Sequence, residues 1–304
     1  MKLVSIISVN YNQAAVTEAM LASLTQINTY TNYEVIIVDN ASKDNPIPRW
    51  IQQYPEYTFI RCEENLGFAG GNNVGIAQAQ GDYLFLINND TELTATVIQQ
   101  LVDVMEANPN VGMISPRIHY HHDKNLIQYV GFTPMNFYVC RNKCIGYQEP
   151  DKGQYNHLQP GPTAYIHGAA MMVRATALQQ VGSMSENFFL YYEEVDWCEK
   201  FKRHHYEIWV HPQALIYHKE SAAVGQQSLL KEYFMNRNRI LFVRRNAWFY
   251  QTWIFTIYFL LIVTPRNLIS YISKGRFDLI KGLLLALWWN LTNNRNSTYI
   301  YIPK

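Results

Sequence analysis

Leu84-Phe85-Leu86-Ile87-Asn88-Asn89-Asp90-Thr91 is the stretch of sequence that decides the fold. Four apolar residues run directly into two amides and a carboxylate, the pattern of a buried strand with a polar exposed end. At the carboxyl edge of a parallel sheet, such residues face the crevice in which α/β proteins bind ligands. One Asp among neutral oxygen donors suits a divalent cation that takes further ligands from phosphate. The alternative is that Asp90 or Thr91 caps a helix predicted from Ala95.

Strand-like and helical patterns alternate through the first hundred residues. The predicted strands are residues 3–9, 34–38, 57–62 and 83–87, and the predicted helices are residues 14–24, 69–79 and 95–107. This alternation predicts βαβ units and a mostly parallel sheet that helices cover on both faces. Polar residues follow three of the strands, at 10–12, 39–42 and 88–90. We therefore expect a ligand site where these strand ends meet.

The pattern changes from residue 119 to residue 160, where polar, aromatic, glycine and proline residues predict a variable insertion. His119, His121 and His122 resemble metal ligands there, but a solvated loop is the preferred interpretation. Cys140 and Cys144 have the spacing that begins a zinc site, but no second Cys/His pair at suitable spacing completes it. Regular structure is predicted to resume at 164–173, with helices at 175–181 and 195–204 and short strands at 206–210 and 214–217.

Charge divides the chain of 304 residues sharply, although the formal net charge is only +1. Residues 1–230 contain 14 Lys and Arg against 22 Asp and Glu, a net charge of −8. Residues 231–304 contain 11 against 2, a net charge of +9. A basic segment on an acidic body indicates an anionic partner for that segment. The length allows one α/β domain at 1–230 with an appendage at 231–304.

Residues 246–265 form an uncharged run rich in aromatic and aliphatic side chains. A helix of this length reaches roughly 30 Å, about the thickness of the hydrocarbon layer of a bilayer. A second uncharged run at 282–294 is too short to span. Basic residues flank the first run on both sides, which gives neither orientation an advantage. This favours helices that lie in the membrane interface or a shallow hairpin. The alternative is a helix pair buried against the domain.

Two further segments contain residues suited to chemistry. Residues 65–75 form a glycine-rich helix start, which offers backbone N–H groups to an anion; its glycines match neither the dinucleotide nor the Walker pattern. Residues 188–197 place Glu193, Glu194 and Asp196 beside aromatic residues, where a carboxylate with a raised pKa serves as a general base. The alternative is an acidic first turn of a helix. His218 ends a predicted strand and is a candidate metal ligand together with Asp90.

The motifs occur in an order that resembles a known family. They are Val9-Asn10-Tyr11-Asn12, Val38-Asp39-Asn40-Ala41-Ser42, Asn65-x-Gly67, Asn88-Asn89-Asp90, Gly168, Tyr191-Tyr192-Glu193-Glu194-Val195-Asp196 and His218. Together they resemble a family 2 glycosyltransferase with the GT-A fold, and most nearly the bacterial rhamnosyltransferase-like group. The resemblance covers about residues 3–245 of this sequence.

This resemblance implies a role for each matching residue. The implied donor-binding residues are Asn10, Asp39, Asn65, Gly67, Asn72, Asn88 and Asn89, with Asp39 at the base or ribose of the nucleotide. Asp90 matches the last Asp of the D-x-D motif that binds Mg²⁺ or Mn²⁺, and His218 matches a histidine that can complete the metal shell. Glu194 matches the general base, within an acidic motif that includes Glu193 and Asp196. Two departures from the family pattern are Asn88 in place of an Asp and Glu194 in place of an Asp.

The resemblance also implies an activity: an inverting transfer of one sugar from a nucleoside diphosphate donor to a hydroxyl of a glycan or lipid-linked acceptor in cell-surface polysaccharide synthesis. Single-sugar transfer is favoured because the sequence has no Gln-x-x-Arg-Trp. The first expected donor is dTDP-rhamnose, followed by UDP-hexoses. The segment 119–160 is expected on the acceptor side. The basic tail is expected to hold the enzyme on the cytoplasmic face of the membrane, peripheral or shallowly inserted. No nucleic-acid partner is expected.

Two other functions remain open at this stage. A non-catalytic membrane-bound scaffold would keep the nucleotide-sugar pocket without the chemistry. A sugar-phosphate nucleotidyltransferase would need a basic glycine-rich loop near the N-terminus, and residues 10–17 contain no Gly, Lys or Arg.

Met1-Lys2-Leu3 leads directly into a strand-like run without a cleavage-site pattern, so no signal peptide is expected. The cysteine usage fits a reducing cytosol.

Overall fold

The computed structural model describes residues 1–219 and 228–303. Its strands are β1 (Val4–Asn10), β2 (Tyr33–Asp39), β3 (Thr58–Arg61), β4 (Tyr83–Ile87), β5 (Thr91–Leu93), β6 (Val111–Tyr120), β7 (Leu126–Tyr129), β8 (Gly131–Phe132), β9 (Cys144–Ile145), β10 (Glu149–Pro150), β11 (Gly161–Pro162), β12 (Ala170–Arg174) and β13 (Glu207–His218). Its helices are α1 (Ala14–Ile27), α2 (Ile47–Gln53), α3 (Gly67–Ile76), α4 (Val97–Ala107), α5 (Ala175–Val181), α6 (Glu193–Arg203), α7 (Leu229–Asn246), α8 (Phe249–Tyr258), α9 (Thr264–Ser273) and α10 (Phe277–Thr292). A 3₁₀ turn lies at Glu186–Phe188 and a π-helical turn at Phe259–Val263.

The first four strands form the parallel half of the large sheet, in the order β3-β2-β1-β4. Branched and aliphatic residues dominate β1 and β4, and they are buried because helices cover both faces. Parallel pairing sets Asn10 at the end of β1 opposite Asp39 at the end of β2. β4 ends beside them, immediately before Asn88. The polar strand ends therefore meet at one edge of the sheet.

The other half of the sheet is mixed. β12 pairs antiparallel with both β4 and β6, and β13 runs parallel to β6. β7 and β10 extend the far edge in antiparallel pairing. The predicted α/β class, a mostly parallel sheet flanked by helices, is confirmed, with β12 as an antiparallel strand in its middle.

Apolar clusters cover the two faces of the sheet. One face packs against α1, α2 and α4 through residues such as Leu21, Trp50 and Leu101. The other packs against α3, α5 and α6 through residues such as Ala69 and Trp197. All five of these side chains are fully buried. Burial of this extent on both faces holds the strand ends in fixed positions.

A third apolar cluster joins α7, α8, the π-helical turn, α9 and α10 to the loop that precedes α6. Phe234 of α7 stacks on Phe189 of that loop with ring centroids 5.1 Å apart. Leu279 and Leu283 of α10 are fully buried in the same cluster. The C-terminal helices therefore pack directly on the segment that contains the acidic motif. The division of the chain at residue 230 stays a prediction.

α8, the π-helical turn and α9 form one continuous helix, Phe249–Ser273, of 25 residues, and its most apolar stretch of 18 residues has a mean hydropathy of 1.4. The helix continues past Pro265, where the apolar run was predicted to end. Pro265 has no N–H to donate to the preceding turn, and the wider π-helical turn before it accommodates this loss. In the part of the chain that the structure describes, this is the one helix long and apolar enough to cross a membrane. Only 17% of this apolar stretch is buried inside the protein.

The segment 119–160 is more regular than the sequence predicts. β6 continues to Tyr120, so His119 lies buried in a strand and the solvated-loop interpretation is wrong for this residue. Its Nδ1 lies 2.7 Å from the carbonyl oxygen of Lys124, and burial lowers its pKa. Short strands β7 to β10 follow as antiparallel pairs. The two-residue strands β8, β9 and β10 were not predicted because strands of this length leave no detectable periodicity.

Three other local features differ from the sequence analysis. The two short strands predicted after α6 are one strand, β13, whose register shifts between His211 and Leu215, next to Pro212. The strand β5, which pairs with β13, intervenes between Asp90 and α4. Asp90 is therefore not a helix cap. The helix α2 was not predicted.

Candidate active site

The strand ends and the first turn of α3 surround a cleft of about 310 Å³. Six of the predicted donor and metal residues line it, together with Tyr11, Asn40, Phe68, Phe189, Leu190 and Leu230; the six are Asn65, Gly67, Asn72, Asn88, Asn89 and Asp90. The lining is aromatic and amide-rich on one side and carries a carboxylate at Asp90. This combination suits a ligand with a planar ring and an anionic group.

Asn10 and Asp39 lie beneath the cleft and are fully buried. The Asp39 carboxylate accepts hydrogen bonds from Asn10 Nδ2 at 2.7 Å and from Arg61 Nη1 at 2.6 Å. Asn10 in turn accepts from Thr17 Oγ1 at 2.9 Å, and Thr17 accepts from Asn89 Nδ2 at 3.0 Å. This chain of hydrogen bonds ties the ends of β1, β2 and β4 together. The predicted contact between Asp39 and the nucleotide stays a prediction, and here Asp39 supports the cleft floor.

The glycine-rich turn before α3 is held by Asn40, a residue that the sequence pattern did not single out. Its Nδ2 donates to Asn65 Oδ1 and to the Gly67 carbonyl, both at 3.0 Å, and its Oδ1 accepts from Leu66 N–H. Gly67 has a φ of +71°, and a Cβ there would collide with the carbonyl oxygen of Phe189. The glycine therefore lets the donor side of the cleft touch the loop that leads to the acidic motif.

Asp90 and His218 form the candidate metal-binding pair. His218 Nε2 lies 3.0 Å from Asp90 Oδ1, and each residue is only 5% exposed. Gln128 Oε1 lies 2.9 Å from His218 Nδ1; in the tautomer with the hydrogen on Nδ1, the Nε2 lone pair faces the Asp90 carboxylate. Two electron pairs that face each other are stabilised by a cation.

The pair fits a divalent metal ion. Two ligands at right angles, each about 2.1 Å from a cation, are about 3 Å apart. Among the described residues no cluster of three His, Cys, Asp or Glu side chains suits a metal. Asp90 and His218 would thus supply two ligands, and a cation between them would take its further ligands from a diphosphate and water. Asn88 Nδ2 lies 3.5 Å from His218 Nε2 and adds no charge.

His167 is a neighbour of this pair that the sequence did not point to. Its ring packs edge-on against His218, with centroids 6.0 Å apart, and stacks on Phe132. Burial lowers the pKa of His167 to about 3, and the nearby His218 acts in the same direction. His167 is therefore neutral at physiological pH and adds no positive charge that would repel a metal.

Glu193 and Glu194 begin α6 beside the cleft. A Cβ on Gly168 would lie 3.8 Å both from Glu194 Cγ and from Phe68 Cζ, so Glu194 and the cleft residue Phe68 both adjoin Gly168. Burial raises the pKa of Glu194. Burial and the neighbouring Glu194 together raise the pKa of Glu193 well above its ordinary value. Two adjacent carboxyl groups in a poorly solvated place retain a proton more readily than free glutamates do.

Asp196 has a different environment from the other two acids. It is fully buried and accepts hydrogen bonds from Arg245 Nε at 3.0 Å, Ser185 Oγ at 2.9 Å and Asn246 Nδ2 at 2.8 Å. Arg245 and Asn246 are the last residues of α7. Asp196 therefore joins α6 to α7 and faces away from the cleft lining.

The loop between the 3₁₀ turn and α6 has an unusual backbone. Phe189, Tyr191 and Tyr192 have φ values of +63°, +71° and +75°. Asn238 Nδ2 lies within 2.9 Å of the carbonyl oxygens of Phe188, Leu190 and Tyr191. The adjacent Arg237 donates to the carbonyls of Asn187 and Phe188. Two residues of α7 thus fix the loop that presents Glu193 and Glu194.

Comparison with solved structures identifies the fold. The chain superposes on the crystal structure of GalNAc-T7 with UDP, GalNAc and Mn²⁺ with a TM-score of 0.66, over 96% of this chain and 58% of that chain, at 14% identity. At this identity the likeness shows the fold alone. The protein has the GT-A fold, as its motifs implied.

The sequence comparison identifies the family. The family described as Glycosyl transferase family 2 matches residues 5–182, more than half of the chain. The protein belongs to this family, and the resemblance inferred from its motifs is confirmed.

Two relatives show the range of similarity. An uncharacterized glycosyltransferase of Haemophilus influenzae is 37% identical over 131 residues, 43% of this chain and 42% of the relative. The N-acetylglucosaminyl-diphospho-decaprenol L-rhamnosyltransferase of Mycobacterium tuberculosis is 24% identical over 239 residues, 73% of this chain and 77% of the relative. The chain thus aligns with less than half of the Haemophilus protein. The second relative bears out the similarity to rhamnosyltransferases.

The Asp196–Arg245 ion pair is expected to stabilise the fold strongly. Arg245→Met would leave a fully buried carboxylate without its cation, so we expect the free energy of unfolding to fall by about 3–5 kcal/mol. Urea denaturation measures this change. The matched control is Lys2→Gln, which removes an exposed ion pair with Asp82 and should cost less than about 1 kcal/mol. Equal stability of the two variants would contradict the structural role of this pair.

The raised pKa of Glu193 predicts a pH-dependent effect on stability. The folded state binds a proton that the unfolded state releases, so the stabilisation is complete at low pH and is lost as pH rises through the raised pKa. Glu193→Gln removes this loss. Its melting temperature, relative to that of the wild type, should therefore rise between about pH 5 and about pH 8. Glu64→Gln, at an exposed position, should show a constant difference over the same range.

Proposed function

We propose that the protein is an inverting glycosyltransferase that moves one sugar from a nucleoside diphosphate donor to a hydroxyl group. The observation that carries this proposal is that two kinds of group lie beside the same cleft. Asp90 and His218 offer ligands for a cation on a diphosphate. Glu194 offers a carboxylate with a raised pKa. Family membership and the GT-A fold support the same chemistry.

The nucleotide would occupy the side of the cleft lined by Tyr11, Asn40 and Asn65. The ring of Tyr11 is exposed and offers a flat surface for a base. Asn65 and Asn72 offer amide groups for hydrogen bonds to the donor. Asn10 and Asp39 act from below, because their hydrogen bonds hold the strand ends at a fixed spacing. Arg61, which pairs with Asp39, keeps the buried carboxylate compensated.

Asp90 and His218 would hold Mg²⁺ or Mn²⁺ at the diphosphate. When bound, such an ion acts as a Lewis acid that stabilises the negative charge of the leaving diphosphate. GalNAc-T7, which has the same fold, was crystallised with UDP and Mn²⁺. Gln128 keeps the His218 ring oriented for this purpose.

Glu194 would act as the general base. The acceptor oxygen attacks the anomeric carbon from the face opposite the diphosphate, Glu194 takes the hydroxyl proton, and the bond to the diphosphate breaks with its electron pair on the leaving group. A raised pKa makes this carboxylate a stronger base than a solvated glutamate. Glu193 supports it by placing a second carboxyl group beside it.

For the substrates we propose dTDP-rhamnose as donor and a lipid-linked glycan as acceptor. This rests on the Mycobacterium tuberculosis relative, whose name describes rhamnosyl transfer to N-acetylglucosaminyl-diphospho-decaprenol. The exposed apolar side chains of the helix Phe249–Ser273 support a position at the membrane surface. The cytoplasmic face is proposed because nucleotide sugars are cytoplasmic compounds. The segment 119–160 is proposed to shape the acceptor side.

Replacement of the proposed base tests the enzymatic function. Glu194→Gln should lower kcat by about 10²–10⁴-fold, because the amide cannot accept the proton, while nucleotide-sugar binding remains. The rate of sugar transfer measures the loss of kcat, and calorimetry measures nucleotide-sugar binding. The wild-type rate should fall at acidic pH with an apparent pKa above that of an ordinary glutamate. Glu186→Gln, at a nearby exposed carboxylate, should keep normal transfer. Normal transfer by Glu194→Gln would exclude Glu194 as the base.

The metal pair is tested through binding alone. Asp90→Asn and His218→Ala should each weaken the Mn²⁺-dependent part of nucleotide-sugar binding by about 10–100-fold. Titration of dTDP-rhamnose and UDP-hexoses, with Mn²⁺ and with a chelator, measures this part. Glu63→Gln, at an exposed acid on the segment between β3 and α3, is the matched charge control. Identical binding with and without Mn²⁺ in the wild type would contradict the metal assignment.

A further inference from the structure

A second pocket, of about 290 Å³, lies between α7, α9 and the turn at Arg141. None of the residues that line it has been assigned above to donor binding, metal binding or the general base. Its lining residues are Arg141, Tyr192, Lys231, Glu232, Met235, Asn236, Arg239, Arg266, Asn267 and Tyr271. Four cations thus converge on one small concavity from three separate segments of the chain.

The positive charge of this pocket is largely uncompensated. Its one carboxylate, Glu232, accepts hydrogen bonds from Tyr271 Oη and Asn236 Nδ2. Within residues 1–219 and 228–303, no carboxylate forms an ion pair with Arg141, Lys231, Arg239 or Arg266. A pocket with three net positive charges complements a polyanion such as a diphosphate.

Arg239 gives the pocket a fixed, buried cation. It is only 5% exposed, and its Nη2 donates to the carbonyl of Val139. The guanidinium carbon lies 5.7 Å and 5.5 Å from the ring centroids of Phe255 and Phe259. Its Nε has no hydrogen-bond partner in the described part of the chain. A buried donor without a partner is costly, and an anion close enough to accept from it would remove that cost.

The pocket and the donor cleft are neighbours. Leu230 lines the cleft and the next residue, Lys231, lines the pocket. Leu190 lines the cleft and Tyr192 lines the pocket, and Tyr192 directly precedes Glu193 and Glu194. An anion in the pocket would therefore lie on the side of the acidic motif that the nucleotide does not occupy.

The pocket also adjoins the exposed apolar helix. Arg266 and Asn267 line it from the first turn of α9, directly after the π-helical turn and within the helix Phe249–Ser273. Along this helix, Ile257, Leu261 and Ile269 are more than half exposed. A ligand with a charged head in the pocket and a long hydrocarbon chain along the helix would match both surfaces.

From this juxtaposition we propose that Arg141, Lys231, Arg239 and Arg266 bind the diphosphate of a polyisoprenyl diphosphate-linked acceptor. The proposal rests on the glycosyl transfer proposed above and names the group by which the acceptor is held. The diphosphate would anchor in the pocket, its prenyl chain would follow the apolar helix, and the sugar would extend past Tyr192 toward Glu194. Arg141 and Arg266 are exposed at the rim, where they can be replaced without loss of core packing.

Vesicle binding tests this proposal on the full-length protein. The vesicles contain phosphatidylcholine with either a long-chain polyprenyl diphosphate or phosphatidylglycerol, at equal zeta potential. The wild type should prefer the polyprenyl diphosphate vesicles. Arg141→Gln with Arg266→Gln should lower that preference about tenfold, because two charge-assisted contacts are lost. Lys143→Gln with Lys274→Gln removes the same charge at nearby exposed positions outside the pocket and should leave the preference unchanged.

Three outcomes would overturn the proposal. The first is an equal loss of affinity on both kinds of vesicle, which indicates a general attraction to anionic lipid. The second is an unchanged preference in the rim variant. The third is full competition by inorganic pyrophosphate at concentrations that match the lipid, which indicates a site for free diphosphate. Mn²⁺-dependent nucleotide-sugar binding is measured in parallel and should stay normal in both double variants. If the wild type lacks that binding but keeps the vesicle preference, the proposed function fails and the pocket assignment stands.

Discussion

The hydrogen bonds from Asn238 to the loop before α6 are the constraint on which the site depends. Three residues of that loop have positive φ values, a conformation that costs on the order of 1 kcal/mol or more for each non-glycine residue. The loop keeps this shape because the Asn238 amide and the Arg237 guanidinium bind its carbonyl oxygens. The same loop supplies Phe189 and Leu190 to the donor cleft and leads into Glu193 and Glu194. One helix outside the sheet therefore sets the distance between the donor site and the acidic motif.

This arrangement changes the meaning of the charge asymmetry in the sequence. An acidic body and a basic tail suggested an external anionic partner. Part of that charge is neutralised internally, because Arg245 pairs with the buried Asp196. Arg237 is fully buried and interacts with loop carbonyls and with the face of Trp289, at 3.9 Å from its ring centroid. The basic residues of the tail that can attract a partner are therefore those at the surface, such as Arg266. The net charge of a sequence does not distinguish charges that are neutralised within the fold from charges that are available to a partner.

The sequence predicted the parts of the structure that local pattern determines. The buried strand before Asn88 and the repeated strand and helix lengths predicted the parallel half of the sheet, because period and burial are local properties. The order of motifs then gave the family. The motifs contained Asn40 without showing its contact with Asn65, and the pattern did not reveal Thr17 or Gln128; each of these three residues holds a neighbouring side chain. Such supporting contacts join residues far apart in sequence, and no local spacing encodes them.

The two segments that looked like additions to the fold each hold one chemically important group. Gln128 comes from the segment predicted as a variable insertion, and it fixes the ring of His218. Asn238 and Arg245 come from the segment predicted as a membrane tail, and they hold the loop and helix of the acidic motif. The proposed metal pair and the proposed general base therefore depend on contacts from outside the parallel half of the sheet. Changes in these two segments would therefore alter the His218 ring, the acidic motif and the Phe189 and Leu190 side of the cleft, while the hydrogen bonds among Asn10, Asp39 and Thr17 would keep the strand ends in place.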